Sequence, residues 1–269
     1  MDHGALANKY GPWAIITGGA SGIGAEFGRQ LAAMGLNLVI VDVQAAMMKE
    51  HAGKLMNQYG TVVRCVSADL SKTDFMKKVR PVIRDISIGL LVNNAAWGSA
   101  GEFMKTDMKD LVLAVEVNCR ASMILTREVG PAMVERGRGG IIFLSSSSAM
   151  QGTPIVANYA ATKAFNLILA EALWDELRGY GIDVLALCPG ATNTPAFAKS
   201  GANIDNVPGM PFMEPAQVVA EALEALGKRP SVIAGTVNRV AAFVFARLLS
   251  RRRAVTLTGR NTRLLYPDR

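Results

Sequence analysis

The sequence predicts an α/β fold, a doubly wound and mostly parallel sheet with helices on both faces. Three observations lead there. Short apolar runs alternate with longer segments of helical periodicity, and a glycine-rich turn stands between the first run and the first helix. Half of the 269 residues are hydrophobic and only 19% are charged, a balance that suits strands buried on both sides. Chains of this length exceed the usual ~150 residues per domain, but α/β units commonly reach it as one domain. No repeat, low-complexity stretch or linker divides the sequence, so a single domain over 1–269 is expected.

The strand-like runs are 14–17, 37–41, 62–67, 90–93, 141–145 and 183–188, with a seventh at 231–234. Helical patterns lie between them at 22–34, 45–59, 73–86, 110–136 and 157–180, and a last one at 215–227 precedes the seventh run. Right-handed crossovers then build the doubly wound sheet. The Pro- and Gly-rich stretch 189–215 reads as an irregular excursion, and long loops inside a compact domain are usually functional lids, here over 195–213.

Charge is unevenly placed. The net charge is +7, yet ten basic residues from Lys228 to Arg269 face only Asp268, so this end carries +9 and the preceding 227 residues −2. The arginines come without a recognisable nucleic-acid reading module, which argues against that class of partner. Cys65, Cys119 and Cys188 are isolated in apolar segments and form neither a disulfide pattern nor a metal cluster. Met1 to Pro12 lacks the basic flank and apolar core of a secretory signal, and no apolar run approaches the ~18 residues of a membrane span. The expected location is cytoplasmic.

Thr17-Gly18-Gly19-Ala20-Ser21-Gly22-Ile23-Gly24 joins the first strand to the first helix. Glycines there let the backbone turn sharply and approach a pyrophosphate, whose charge the free N–H groups of the helix start would meet. In that reading Gly18, Ser21, Gly22, Ile23 and Gly24 bind a dinucleotide; a tight turn with glycines for packing alone is the alternative. Asp42 ends the second strand, where a carboxylate either accepts bonds from adenosine ribose hydroxyls or caps the next turn. The ribose reading favours NAD over NADP, because a 2′-phosphate would meet a like charge and neither Ser21 nor Val43 offers a cation. Lys49 is the nearby base that keeps NADP open.

Tyr159-Ala160-Ala161-Thr162-Lys163 opens a helix and projects its i, i+4 pair from one face. A phenol of ordinary pKa ~10 is a poor base at neutral pH, and an ammonium beside it favours phenolate. A surface tyrosine lying along a lysine stem has the same spacing. The run Ser145 to Ser148 leaves the fifth strand just upstream, placed to offer a hydroxyl to the same carbonyl oxygen or merely to satisfy the strand exit.

Taken in order, and with Asp69-Leu70, Asn93-Asn94-Ala95-Ala96, Asn118 and Pro189-Gly190, these motifs resemble the short-chain dehydrogenase/reductase family from about Trp13 to Phe197. The resemblance implies a Rossmann-type sheet of about seven strands and a nicotinamide cofactor for alcohol–carbonyl interconversion. It implies that Asp69 and the Leu70 backbone touch adenine, that Asn94 and Ala95 line the cofactor with Pro189 and Gly190, and that Thr192 and Thr194 hold the carboxamide. The family's catalytic serine precedes its tyrosine by thirteen positions, which selects Ser146. Tyr159 is then the acid/base, Lys163 lowers its pKa and binds the nicotinamide ribose, and Asn118 kinks its helix and holds a water in a proton relay. Read alone, Asp69 is a helix N-cap, Asn94 a strand-end cap and Asn118 a back-bonding helix residue. The chain departs from the family pattern in Ala96, and in lacking a short glycine-rich ending, which leaves homodimer and homotetramer both open. A cofactor-binding regulatory protein with little turnover is the competing class; the complete set Ser146, Tyr159, Lys163 and Asn118 favours an enzyme.

Substrate identity rests on variable segments. Trp97 and the lid residues Phe197, Met210, Phe212 and Met213 either face an apolar substrate or pack among themselves. The basic tail, 236–269, contains an amphipathic segment at 237–249 too short to cross a bilayer. It reads as a docked helix closing the pocket or an oligomer interface, or as a peripheral membrane contact through its arginines.

Overall fold

The computed structural model describes residues 3–269. Every predicted strand forms: β1 (Trp13–Thr17), β2 (Asn37–Asp42), β3 (Val63–Ser67), β4 (Ile88–Asn93), β5 (Gly139–Leu144), β6 (Ile182–Cys188) and β7 (Ser231–Ile233). They make one parallel sheet in the order β3-β2-β1-β4-β5-β6-β7. The order reverses between β1 and β4, and in such sheets the crevice beyond the carboxyl ends at the reversal is where a dinucleotide lies.

The covering helices are α1 (His3–Tyr10), α2 (Gly22–Ala33), α3 (Ala45–Tyr59), α4 (Met76–Ile83), α5 (Met108–Val115), α6 (Ala121–Arg136), α7 (Ala157–Arg178), α8 (Pro195–Lys199), α9 (Pro215–Ala225), α10 (Thr236–Arg247) and α11 (Arg251–Leu265). Strands β1, β4 and β5 are buried at every position, which is why they read as continuous rather than alternating apolar runs. One face of the sheet packs Ile16, Ile40 and Leu185 under Phe27 and Leu31 of α2 and Val219 and Leu223 of α9. The other packs Ile15, Leu91 and Val184 under Leu125 and Met133 of α6 and Leu167 of α7.

Four departures from the expected elements have local causes. The helix expected over 73–86 spans only Met76–Ile83, since the chain before it runs through tighter turns closed by Phe75 N–H to Lys72 O (3.4 Å) and Lys77 N–H to Asp74 O (2.9 Å). The helix expected over 110–136 is interrupted by a π turn at Glu116–Arg120, which separates α5 from α6 and contains Asn118. Helix α1 was not anticipated; its Tyr10 is buried and donates to Asp183 Oδ2 at 2.5 Å, and Lys9 pairs with the same carboxylate. Helix α11 was hidden by its arginines, since its inward face consists of small residues, Ala254, Gly259 and Thr262.

The 195–213 segment carries α8 and a 3-10 turn at Ile204–Asn206, and Thr192 bridges to Met213 at its base. Helix α11 straps across it: Asn203 N–H donates to Leu265 O (2.7 Å), Asn206 Nδ2 to Leu264 O (3.1 Å), and Gly259 lies against Pro154.

Candidate active site

At the carboxyl end of β1 the chain turns through Gly18, held by its N–H to Val41 O at 2.8 Å with a positive φ of 63°. Asn94, leaving β4, donates from Nδ2 to Thr17 O (2.8 Å) and Gly18 O (3.0 Å), and Thr17 Oγ1 accepts from the N–H groups of both Asn94 and Ala95 (3.0 Å each). Asn94 thus supports the glycine turn as well as lining it. A Cβ on Gly24 would collide with Gly18 O and Asn94 Nδ2, so the first turn of α2 and the glycine loop lie as close as backbone permits. Ser21 is extended and its hydroxyl makes no capping bond, which leaves the first N–H groups of α2 facing the crevice.

The buried Asp42 carboxylate accepts from Ala20 N–H (2.9 Å) and Gln44 N–H (2.9 Å), joining the end of β2 to the glycine turn. Lys49 is exposed on α3, and its charge is felt at the Cys65 thiol of β3, two residues short of the strand's end. Asp69 sits past β3, and its bonds to Ser71 hold its carboxyl below the usual range; the neighbouring Leu70 is buried. This crevice has what a dinucleotide requires: a glycine cradle with no room for side chains, an open helix start, and carboxylates at the ends of β2 and β3.

The candidate proton-transfer groups gather beyond β5. Tyr159 and Lys163 lie in the first two turns of α7, with Lys163 Nζ 5.5 Å from the Tyr159 ring centre. Lys163 is only 2% exposed and donates to Leu144 O at 2.8 Å. Burial lowers its pKa to about 8, so the ammonium persists at neutral pH but only just. Tyr159 is half-buried by area, yet the protein around its hydroxyl pushes its pKa up to about 12, with the Ser146 hydroxyl opposing that shift and Tyr266 adding to it. Desolvation therefore outweighs the effect expected of the lysine, and in the free protein Tyr159 holds its proton firmly. Ser146 Oγ accepts from Ser148 N–H (3.1 Å) and Oγ (3.0 Å). Ser145 is structural, donating to Lys163 O at 2.8 Å, and Ser147 N–H donates to Pro189 O at 2.9 Å.

Asn118 is 1% exposed, and its side chain is fully engaged: Oδ1 accepts from Trp97 N–H (2.7 Å), while Nδ2 donates to Trp97 O (2.8 Å) and Thr162 Oγ1 (2.8 Å). It clamps the segment after Asn94 onto α7. Thr192 is buried and donates to Gly190 O (3.0 Å), and Thr194 caps α8 by accepting from Phe197 N–H (3.1 Å). Gly190 abuts Asn238 of α10, so the tail touches the candidate cofactor side of the site.

Two site residues escaped the sequence reading. Gly98 lies flat against Tyr159, where an added Cβ would come 2.6 Å from the ring; its only signal is its place three residues after Ala95. Tyr266, just past α11, reaches the Tyr159 hydroxyl electrostatically from the far end of the chain, and no local pattern marks it. Within 195–213, Phe197 and Phe212 pack their rings on each other at 5.2 Å, and Met213 joins the core under the sheet. Trp97 remains 44% exposed.

Residues 12–205 match the family model described as short chain dehydrogenase, and the chain belongs to that family. It is a nicotinamide-dependent oxidoreductase that moves a hydride between the cofactor and an alcohol or carbonyl substrate. A 7beta-hydroxysteroid dehydrogenase of Clostridium sardiniense is 30% identical over 237 residues, spanning 86% of this chain and 88% of that one. A solved 7beta-hydroxysteroid dehydrogenase structure superposes with a TM-score of 0.86 at 28% identity, covering 94% of this chain and 98% of its own. A short-chain dehydrogenase from Sphingobium yanoikuyae in complex with NADPH gives a TM-score of 0.77 at 30% identity, covering 88% and 94%.

Proposed function

We propose that this enzyme interconverts a secondary alcohol and a ketone on a bulky apolar substrate of steroid size, with NAD(H) preferred. The observation that carries the reading is the surround of Tyr159: Ser146 on one side, Gly98 flat against the ring, and Tyr266, at the end of α11, near enough to act on the hydroxyl electrostatically. A site so flanked favours a large apolar body, which gains many contacts and displaces water as it binds. Kinship to hydroxysteroid dehydrogenases supports the same size class.

A bound nicotinamide supplies or accepts the hydride. Gly18, Ser21, Gly22, Ile23 and Gly24 would hold its pyrophosphate, Asp42 the adenosine ribose, Asp69 and Leu70 the adenine, and Asn94, Ala95, Pro189, Gly190, Thr192 and Thr194 the nicotinamide half. In reduction Tyr159 gives its hydroxyl proton to the carbonyl oxygen, which Ser146 orients. Lys163 stabilises the phenolate left behind, and the proton is restored from solvent through Lys163 and the Asn118 turn. The segment 195–213, strapped by α11, acts as the lid.

The NAD preference rests on Asp42. Its carboxylate is fixed by two N–H groups beside the glycine turn, and a 2′-phosphate there would meet an unneutralised like charge. Initial rates with NADH and NADPH and a ketone series graded by size test both parts. Expected are a kcat/KM for steroid-sized ketones at least about tenfold above that for small aliphatic ones, and a higher kcat/KM with NADH. Asp42→Arg should move the NADH/NADPH ratio of kcat/KM by at least about tenfold toward NADPH. A wild type that already prefers NADPH defeats the cofactor reading, and equal rates across the size series defeat the substrate reading.

Copies are expected to pair through α5, α6 and α7, whose outward Met108, Val112, Val115, Met123, Phe165 and Ile168 are exposed apolar side chains of adjoining helices. Light scattering at micromolar concentration should return at least the mass of a dimer; a monomer mass would remove the proposal.

A further inference from the structure

We propose that α10 rests its outer face on an anionic lipid surface, which holds the enzyme at the membrane without crossing it. The inner face of this helix is committed. Asn238 donates to Ala234 O at 2.8 Å and touches Met213, while Arg239 pairs with Glu221 (2.6 Å) and donates to Ile233 O (3.1 Å). These bonds fix which side points outward. At about 3.6 residues per turn, Val237, Val240, Val244, Arg247 and Leu248 share the outer side and Phe243 stands at its edge. Val237, Val240, Phe243 and Leu248 are 60%, 59%, 61% and 68% exposed, an unusual concentration of bare apolar side chains on one helix.

Cations border this stripe. Arg247 lies within it, and Arg251, Arg252 and Arg253 follow at the start of α11, which Ser250 caps by accepting from Arg253 N–H. All four are exposed, and among the described residues none of them makes an ion pair. No acidic residue occurs between Glu224 and Asp268. The charge is therefore not part of the fold's own ion pairing.

The chemistry of the occupant follows from having both features side by side. A second copy seated on this face would bring both arginine clusters into one interface, and no carboxylate between Glu224 and Asp268 is there to relieve their like charge. An anionic bilayer surface meets the arginines with headgroups and takes Val240, Phe243 and Leu248 into the boundary of its acyl region. Among the described residues no helix is long and apolar enough to cross a membrane, so the contact is peripheral. Helix α10 also packs against the Ser147–Met150 turn that follows the catalytic serine, which places the reaction site next to the lipid surface. Surface binding does not depend on the substrate class proposed above.

The test is co-sedimentation of the full chain with vesicles of phosphatidylcholine alone and of phosphatidylcholine mixed with equal phosphatidylglycerol. The protein should pellet with the mixed vesicles at low salt, stay in the supernatant with phosphatidylcholine alone, and be released by high salt. Val240→Asp with Phe243→Asp, and separately Arg251→Ala with Arg252→Ala and Arg253→Ala, should each reduce the bound fraction at least about fivefold. Melting temperature, solution mass and turnover of a water-soluble ketone should be unchanged in both. Wild-type protein left in the supernatant with mixed vesicles at low salt overturns the proposal, as does undiminished pelleting of both variants. A drop in solution mass for the Val240→Asp, Phe243→Asp protein also overturns it, by making this face a contact between copies.

Discussion

Tyr159→Phe should lower kcat for ketone reduction by about a thousandfold while leaving the dissociation constant for NADH within about twofold. In the proposed mechanism the hydroxyl protonates the carbonyl oxygen, whereas the glycine cradle and Asp42, which would bind most of the dinucleotide, lie at the ends of β1 and β2. The ring stays in place in the variant because Gly98 and the α7 backbone hold it, so the loss reports on the proton alone. Removing Lys163 would confuse the two functions, since its buried ammonium also ties α7 to Leu144. The pH profile carries a second signature. With a pKa of about 12, Tyr159 is protonated through pH 5 to 9, so reduction should not lose its acid over that range. Alcohol oxidation needs the phenolate, so its rate should climb with pH. Lys163 is charged below about 8 and neutral above, and its charge favours phenolate, so the climb should flatten above pH 8. Near-native kcat in Tyr159→Phe, or an oxidation rate independent of pH, would remove Tyr159 from the proton transfer.

The sheet was legible because burial on both faces imposes a simple rule: each strand between two helix layers must be apolar throughout, and β1, β4 and β5 obey it. The candidate cofactor crevice was legible as a structural feature for a similar reason. Its glycines, Asp42 and Asn94 are all within a few residues of a strand's carboxyl end, so their place in sequence is their place in space. The π turn at Asn118 was foreseeable only as a kink, since no residue type enforces it. The tail was the least legible part. Helix α11 buries Ala254, Gly259 and Thr262, none of which stands out in an arginine-rich stretch, and Tyr266 gains meaning only once that helix is strapped over the lid. The pKa of Tyr159 shows a different limit. An i, i+4 lysine points to a lowered value, but desolvation depends on the whole surround and has the larger effect here.

Gly24→Ala should weaken NADH binding by at least about a hundredfold, equivalent to ~2.7 kcal/mol. The added methyl has nowhere to go. It would fall on Gly18 O and on Asn94 Nδ2, and both are pinned: Gly18 by its bond to Val41 O, and Asn94 by its bonds to Thr17 O and Gly18 O. Relief therefore requires the glycine turn to open or α2 to lift from the end of β1, and either moves the N–H groups that would meet the pyrophosphate. Gly53→Ala is the matched control. It lies inside α3, where a Cβ would meet nothing within 4 Å, so the substitution should stabilise the helix by about 0.5–1 kcal/mol and leave NADH binding unchanged. Titration of intrinsic fluorescence with NADH, together with thermal melting, separates the effects. If Gly24→Ala binds NADH as tightly as the Gly53→Ala protein, the turn after β1 is a packing device and the dinucleotide is held elsewhere. If it melts cooperatively yet no longer binds, the close approach of α2 to the glycine turn is what recognises the pyrophosphate.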